Sequence, residues 1–487
     1  MTTSEPIIAR FESADFDTNA LQVARVSGRE AIGELFYFDV DLVAHDRDRL
    51  EQGDVLGARV RLSFERGRDE LRVVHGIVWS MQEEFDFAAG AHRYRVRVMP
   101  RAARMLLIES QDIFIDMSVP EIVLEKLRSV EIGDQDVDTH ALLGTYPKRD
   151  HVTQFEETDL AFMSRWFEHL GVSFFFDHTT GVDRIVVTDN AVGFGAYEHQ
   201  PVLELSAHEG RPEQVRTLRL ESEVIPELYF VMDYDYRNPD LELTCRHTSE
   251  LGMAGGVVEY GGHFRDLAAG EHLARVRAEE RECTARVFHG TSDIVRLSAG
   301  FRYDLDGHPE LDKKSLVVTW VEHELTQPAS GVAESGGYKN SFAAIPGESM
   351  FRPRRRTPRP RIGGLMTGVV EPREFGKTED PACVDDQGRY WVKFIFDTAP
   401  LGSRKASKPV RMALPSAGPR SGFHFPLRPG IEVALGFLNG DPDRPIIVGA
   451  LHNGKVAAHV VAENQQVNSI ETTSGIRMHF KDTLQRR

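Results

Sequence analysis

Hydrophobic and polar residues alternate along several short segments of the first hundred residues. Phe36, Phe38 and Val40 alternate with more polar neighbours, and the segment 94–98 alternates apolar residues with arginines. A period of two places one set of side chains inward and the other toward water. The pattern predicts β-strands here, with a further strand over 71–79.

Two later segments carry apolar residues at helical spacing instead. The pattern predicts a helix over 118–130, with Ser118 as its N-cap, and a second helix over 158–170 that ends at Gly171. One apolar stripe on each is typical of a helix that packs against a core. A β-hairpin is predicted to follow over 172–188.

The pattern predicts strands and turns again over about 200–345, most clearly over 316–325. Glu322 and Glu324 are expected to share a strand face with Val318 and Trp320. Paired carboxylates on one face are one way to build an acid/base pair. We favour a partly solvated strand face, because nothing nearby in the sequence indicates a cleft.

The sharpest change in composition is the arginine stretch, residues 351–361 (FRPRRRTPRPR). It holds six arginines, three prolines and no acid, and the prolines favour an extended linker. Arg354, Arg355 and Arg356 are candidates to grip a phosphate or an acidic partner. The alternative, which we favour, is that they pair with carboxylates of neighbouring chains in the protein's own assembly.

Short alternating strands at close spacing follow the arginine stretch, at 390–397, 431–438 and 446–451. Some five short strands over 362–455 predict a small barrel of the OB type.

Turn-forming residues are densest between the last two of these strands, at Gly440, Asp441, Pro442 and Asp443. The two aspartates are candidates for a carboxylate pair. A turn in which Asp caps its own backbone explains them better.

The segment 456–487 holds one more alternating strand, in which Ile476, Met478 and Phe480 form the apolar side. A lone strand leaves its backbone groups unpaired and its apolar face exposed. Pairing with copies of itself around a symmetry axis removes both problems. The alternative is a frayed tail.

Composition narrows the class of protein. The 487 residues predict about three domains, and the net charge of −17 argues against a nucleic-acid or anionic-membrane binder. No apolar run is long enough to span a bilayer, and the first residues lack a secretory signal pattern. Cys245, Cys283 and Cys383 are too widely spaced for a disulfide framework or a cysteine zinc site.

Sequence signatures of catalysis are missing. There is no GxSxG, HExxH, P-loop or strand-linked GxGxxG motif. The histidines, such as His169, His178, His263 and His272, lack ligand-like grouping. The sequence therefore predicts no enzyme, no catalytic residue, no cofactor and no metal site.

Five segments in order resemble VgrG, the spike protein family of type VI secretion systems. They are ETDLAFMSRWFEHLGVSFFF (157–176), RLSAGFRYDLDGHPELDKKSLVVTWVEHEL (296–325), YKNSFAAIPGESMFRPRRRTPRP (338–360), DDQGRYWVKFIFD (385–397) and FLNGDPDRPIIVGALHNGK (437–455). The resemblance covers almost the whole chain. Two departures are the missing Trp in KPVRMALPSAGPRSGFHF (408–425) and the absence of a long needle after Arg487.

The resemblance implies a mainly β fold with minor α structure. A phage tail-hub-like domain with barrel-like β-subdomains is expected over 1–350. An OB-fold domain over 362–455 is expected after the linker 351–361. A neck and the first part of a trimeric, triple-stranded β-helix are expected over 456–487.

The resemblance also implies a function. It implies a homotrimer that caps the hexameric tube of the protein Hcp, meets baseplate components, punctures envelopes and delivers effector cargo. A PAAR-repeat tip is a further implied partner, and secretion from the bacterial cytoplasm by the contractile machinery is the implied route. The alternative is a baseplate hub of a contractile phage tail or an extracellular injection particle, which shares this architecture.

Overall fold

The structure is a computed structural model that divides into two compact units. The first comprises Met1–Glu109, Val119–Tyr146 and Thr158–Pro358, and the second Ser110–Ser118, Pro147–Glu157 and Arg359–Arg487. The sequence analysis assigned residues 110–118 and 147–157 to the hub, whereas the structure groups them with the second unit. The residues described are 5–44, 50–86, 91–197, 202–205, 213–308, 313–328, 336–372, 384–398, 407–419 and 421–481.

Strands dominate both units, and four α-helices lie in the first. The helices are α1 (Gln52–Val55), α2 (Val119–Ser129), α3 (Asp159–Leu170) and α4 (Leu267–Ala285) within the described residues. Short 3₁₀ turns lie at Arg101–Leu106, Asp134–Asp136, Ala191–Gly193, Leu438–Gly440 and Ala462–Asn464.

The described strands, in chain order, are β1 (Ile7–Ser13), β2 (Leu21–Ala31), β3 (Tyr37–Ala44), β4 (Arg59–Arg66), β5 (Asp69–Asp86), β6 (Ala91–Met99), β7 (Glu109–Phe114), β8 (Val137–Asp138), β9 (Val152–Thr158), β10 (Ser173–Asp177), β11 (Arg184–Thr188), β12 (Val202–Glu204), β13 (Val215–Ser222), β14 (Leu228–Asp233), β15 (Leu243–Thr248), β16 (Gly256–Tyr260), β17 (Arg286–Ser292), β18 (Arg302–Asp306), β19 (Ser315–Thr326), β20 (Gly337–Pro346), β21 (Met366–Val370), β22 (Tyr390–Phe394), β23 (Lys408–Met412), β24 (Ala417–Gly418), β25 (Ser421–Gly422), β26 (Glu432–Phe437), β27 (Pro445–Leu451), β28 (Val467–Glu471) and β29 (Arg477–Lys481).

One sheet of 12 strands organises the first unit. Its main path runs β1-β4-β5-β6-β3-β2-β19-β20-β17-β13, and β18 and β12 attach beside β19. The N-terminal and C-terminal halves of the unit therefore join at β2 and β19, where Trp320 lies opposite Ala31. Two further sheets of three strands, β10-β11-β8 and β15-β14-β16, lie in the same unit.

Several elements of the first unit agree with the sequence pattern. Phe36, Phe38 and Val40 are buried, and so are the apolar residues of 94–98. Helix α3 begins after Thr158, whose side chain accepts a hydrogen bond from the Ala161 amide. It ends at Gly171 with φ of 72°, a left-handed conformation that glycine adopts at low cost.

Strand β19 corrects one detail of the pattern. Its register shifts between Val318 and Trp320, which is the signature of a β-bulge. The extra residue moves Val318 onto the buried face, while Glu322 stays exposed. The expected shared face with Glu322 and Glu324 was therefore wrong for Val318, whereas Trp320, which follows the bulge, does lie on that face.

Helix α4 was missed by the sequence analysis, which expected strands and turns over this region. Its buried positions include Gly270, Arg277 and Glu280 among smaller apolar residues. Two charged residues on the inner face, Arg277 and Glu280, interrupt the apolar stripe on which helix prediction relies. The one local sequence signal for this helix was Asp266, an N-cap residue whose side chain accepts a hydrogen bond from the Ala269 amide.

The second unit contains a closed barrel of five strands, ordered β21-β22-β23-β27-β26. Tyr390, Val392 and Phe394 lie in its core, as the alternation over 390–397 predicted. The mainly β fold class with an OB-type barrel is confirmed. Among the described residues, no helix is both long and apolar enough to cross a membrane.

Candidate functional site

The arginine stretch is fixed to the first unit along residues 351–358. Arg352 is buried, and its Nε donates to Glu279 Oε2 at 2.7 Å. Its Nη1 donates to the carbonyl oxygens of Gly171 at 2.8 Å and Asp189 at 2.9 Å. The Arg352 amide donates to the buried Cys283 thiol at 3.1 Å. These contacts tie the stretch to the end of α3 and to α4.

Arg355 joins a cluster of charges on the same unit. Its Nε donates to Glu280 at 2.9 Å and its Nη1 donates to Glu259 at 2.6 Å. Glu259 also accepts from Arg277 Nε at 2.7 Å. Burial alone would raise the pKa of Glu259, but the hydrogen bond from Arg277 and the charges of Arg277 and Arg355 outweigh burial and lower the pKa to about 2.

Arg356 and Thr357 are held by a single carboxylate at the end of α3. Both backbone amides donate to Glu168 Oε2, at 3.0 and 2.9 Å, and the Thr357 hydroxyl donates to Oε1 at 2.7 Å. Arg356 Nη1 donates to Glu34 at 2.9 Å. Arg355 and Arg356 thus pair with their own chain, whereas the sequence analysis expected carboxylates of neighbouring chains. Arg354 is exposed, and no ion pair of it is recorded within the described residues.

The turn at 440–443 is a structural feature of the second unit. Gly440 has φ of 72°, and the Asp443 amide donates to Asp441 Oδ1 at 3.0 Å. Asp443 Oδ1 accepts from the Thr153 amide at 2.6 Å, and the Pro442 carbonyl accepts from the Thr153 hydroxyl at 3.3 Å. The interpretation that Asp caps its own backbone is confirmed, and Asp443 also accepts a hydrogen bond from strand β9.

The terminal hairpin, residues 467–481, corrects the expectation of a lone strand. β29 begins at Arg477 and pairs antiparallel with β28, while Ile476 lies just before it. Met478 lies opposite Ile470 and Phe480 opposite Asn468, so the apolar residues share one face. Ile476, Met478 and Phe480 are 70%, 54% and 59% exposed. One chain alone leaves this apolar face open to water.

Glu322 and Glu324 lie on a solvated face, as the favoured interpretation expected. Glu322 accepts from Arg29 at 2.7 Å, and Glu324 from Arg25 at 3.0 Å and Lys339 at 2.9 Å. These exposed pairs balance charge across neighbouring strands.

A buried polar chain that the sequence analysis missed lies where the two halves of the sheet meet. His323 Nε2 donates to Glu30 at 2.6 Å, and the Tyr338 hydroxyl donates to His323 Nδ1 at 2.6 Å. Asn340 donates to the Tyr338 oxygen at 3.1 Å. Arg72 completes the chain by an ion pair with Glu30. The five residues come from β2, β5, β19 and β20, so no local pattern marks them.

Two family models match the chain over most of its length. Residues 29–329 match the phage tail baseplate hub (GPD), and residues 382–452 match the type VI secretion system/phage-baseplate injector OB domain. The first match covers more than half of the chain.

Relatives and solved structures agree with these matches. The type VI secretion system spike protein VgrG5 of Pseudomonas aeruginosa is 30% identical over 452 residues, covering 89% of this chain and 56% of the relative. The chain thus spans little more than half the length of that relative. An E. coli type VI secretion component described as structurally similar to the T4 tail proteins gp27 and gp5 has a TM-score of 0.67 at 23% identity, covering 91% of this chain and all of the other.

A more distant structure extends the likeness in fold to nearly the whole chain. A chain of the Francisella PdpA–VgrG complex has a TM-score of 0.65 at 10% identity, covering 99% of this chain and 76% of the other. The resemblance to VgrG spikes inferred from the five sequence segments is confirmed. The chain therefore belongs to the phage tail baseplate hub family, with VgrG spike proteins of type VI secretion systems among its relatives.

Proposed function

We propose that this protein is the spike of a type VI secretion system. As a homotrimer it caps the Hcp tube, meets the baseplate, and carries effectors through the envelope it punctures. The observation that carries the proposal is the order of parts: a hub-family unit, an OB barrel and then a hairpin with an open apolar face. The proposed work is mechanical and needs no catalytic residue.

The terminal hairpin supports the trimer part of the proposal. Its exposed Met478 and Phe480 are costly to leave in water, at about 1.5–3 kcal/mol for each side chain that a partner would bury. A second and a third copy of the same strand supply both an apolar surface and backbone partners for the open edges. Continued β-helical winding of three chains is the arrangement we propose for this end.

The ion pairs of the arginine stretch support the proposal of a stiff spike. Arg352, Arg355 and Arg356 are used within one chain, so this stretch leaves the first unit along a fixed path. A rigid exit transmits force better than a flexible linker. Arg354, exposed beside them, remains our candidate for contact with a neighbouring chain or an acidic partner.

Release of Hcp into the medium tests the function directly. In a strain whose own copy of this gene is deleted, restoring the chain should restore contraction-dependent Hcp release, because a tube without its cap is not fired. A version with Met478→Asp and Phe480→Asp should not restore it. Equal Hcp release with and without the gene would contradict the proposal.

A further inference from the structure

Three metal-ligating side chains meet in the second unit, although the sequence analysis expected no metal site. One ligand atom each from His459, Glu471 and His479 lies within 4.8 Å of the other two. Glu471 lies on β28, His479 on β29, and His459 on the segment that leads into the hairpin. The three residues are not close in sequence, which is why the motif search passed over them.

The register of the hairpin places this cluster on one face. Ser469 lies directly opposite His479, and Glu471 lies directly opposite Arg477. Cross-strand partners project on the same side of a sheet, so this polar face is the reverse of the face that carries Met478.

The hydrogen bonds of the cluster leave a place for a cation. His459 Nε2 lies 2.7 Å from the Ser469 hydroxyl, and donation from Nε2 leaves Nδ1 without a proton. Nδ1 faces Glu471 Oε2 at 3.7 Å, while Glu471 Oε1 accepts from Arg477 Nε at 2.6 Å. In the tautomer that donates from Nε2, two atoms with lone pairs therefore face each other at a separation too long for a hydrogen bond.

We propose that His459, Glu471 and His479 bind one divalent transition-metal ion, with Zn²⁺ as the first candidate. Two imidazoles and one carboxylate suit Zn²⁺, Co²⁺, Ni²⁺ or Cu²⁺ better than Ca²⁺ or Mg²⁺, which prefer oxygen ligands. The hydrogen bond between His459 and Ser469 resembles the outer contacts that orient metal-binding histidines. His459 and His479 are exposed, so their rings are free to turn onto the ion.

The ion would link the segment around His459, which precedes the hairpin, to both of its strands. β28 and β29 pair with each other and with no other described strand, and an isolated two-stranded hairpin is marginally stable. The free energy of metal binding would stabilise the folded conformation of residues 459–481. The site uses side chains of one chain and does not depend on the proposed spike function.

Calorimetric titration of the untagged, chelator-treated full chain with ZnSO₄ tests the site, with Co²⁺ absorption as a second readout. The expected result is one saturable ion per chain and slower amide hydrogen exchange over 459–481. His459→Ala and His479→Ala should abolish this binding, and Ser469→Ala should weaken it about tenfold or more.

His452→Ala is the matched control, because His452 is an exposed histidine of the same region outside the cluster. It should bind Zn²⁺ as the unmodified chain does. Circular dichroism checks that each variant is folded. Absence of saturable binding, or binding that survives both His459→Ala and His479→Ala, would overturn the proposal.

Discussion

His323 Nε2 donates to Glu30 at 2.6 Å across the junction between the two halves of the large sheet. Both side chains are buried, and Arg72 pairs with the same carboxylate. Burial alone would raise the pKa of Glu30, but the charge of Arg72 and the hydrogen bond from His323 outweigh it and lower the pKa. The carboxylate is therefore kept ionised inside the unit, where it joins strands distant in sequence.

Neutralising Glu30 should destabilise the first unit strongly. Glu30→Gln leaves the buried Arg72 without its counter-charge, a change that typically costs about 3–5 kcal/mol. Urea denaturation monitored by tryptophan fluorescence would measure the loss. Glu322→Gln is the matched control, since Glu322 is an exposed glutamate paired with Arg29, and it should cost no more than about 1 kcal/mol. Equal effects of the two changes would contradict a central role for the buried chain.

Acid should destabilise the first unit through Glu259. Its folded pKa of about 2 lies below the ordinary 4.5, so the unfolded state binds more protons between these values. The stabilisation is complete above the unfolded pKa and is lost as the pH falls toward the folded pKa. Denaturation midpoints measured from about pH 5 to pH 3 should fall less steeply for Glu259→Gln. A variant that keeps the full slope would show that this carboxylate is not the titrating group.

Charge reversal should separate the roles of two neighbouring arginines. Arg355→Glu removes the partner of the buried Glu280 and should destabilise the first unit by about 2 kcal/mol. Arg354→Glu changes an exposed residue and should stay within about 0.5 kcal/mol. Thermal melts compare the two. If Arg354→Glu weakens assembly without lowering the melting temperature, Arg354 contacts another chain or an acidic partner.

The apolar face of the terminal hairpin should matter for association and not for the stability of one chain. Met478→Ser with Phe480→Ser removes two exposed apolar side chains. At about 1.5–3 kcal/mol for each side chain buried in a partner, association should weaken roughly 100-fold or more. Lys481→Ser, on the opposite face of β29, is the control. Sedimentation velocity that shows equal association for both variants would argue against this face.

The elements predicted well from the sequence are those in which buried and exposed residues follow a single helical or strand period. Every second residue is buried over 36–40 and over 390–394. Helix α3 has both an apolar stripe and end signals at Thr158 and Gly171. In such elements the packing and the intrinsic propensity favour the same secondary structure, so the hydrophobic pattern alone predicts it.

The parts that failed depend on contacts between distant residues. Helix α4 can bury Arg277 because Glu259, from a strand earlier in the chain, pairs with it. The bulge in β19 shifts Val318 to the other face, and no residue type near it in the sequence indicates a bulge. The partners of Arg355 and Arg356 lie far back in the chain. Charge alone predicted that these arginines would find carboxylates, but not which ones.

The mass of the full chain in solution tests the central claim most directly. Light scattering after size exclusion should give three times the 54.8 kDa of one chain, and the Met478→Ser, Phe480→Ser variant should shift toward a single chain. A mass of one chain for the unmodified protein, unchanged across a wide range of concentration, would contradict the homotrimeric spike.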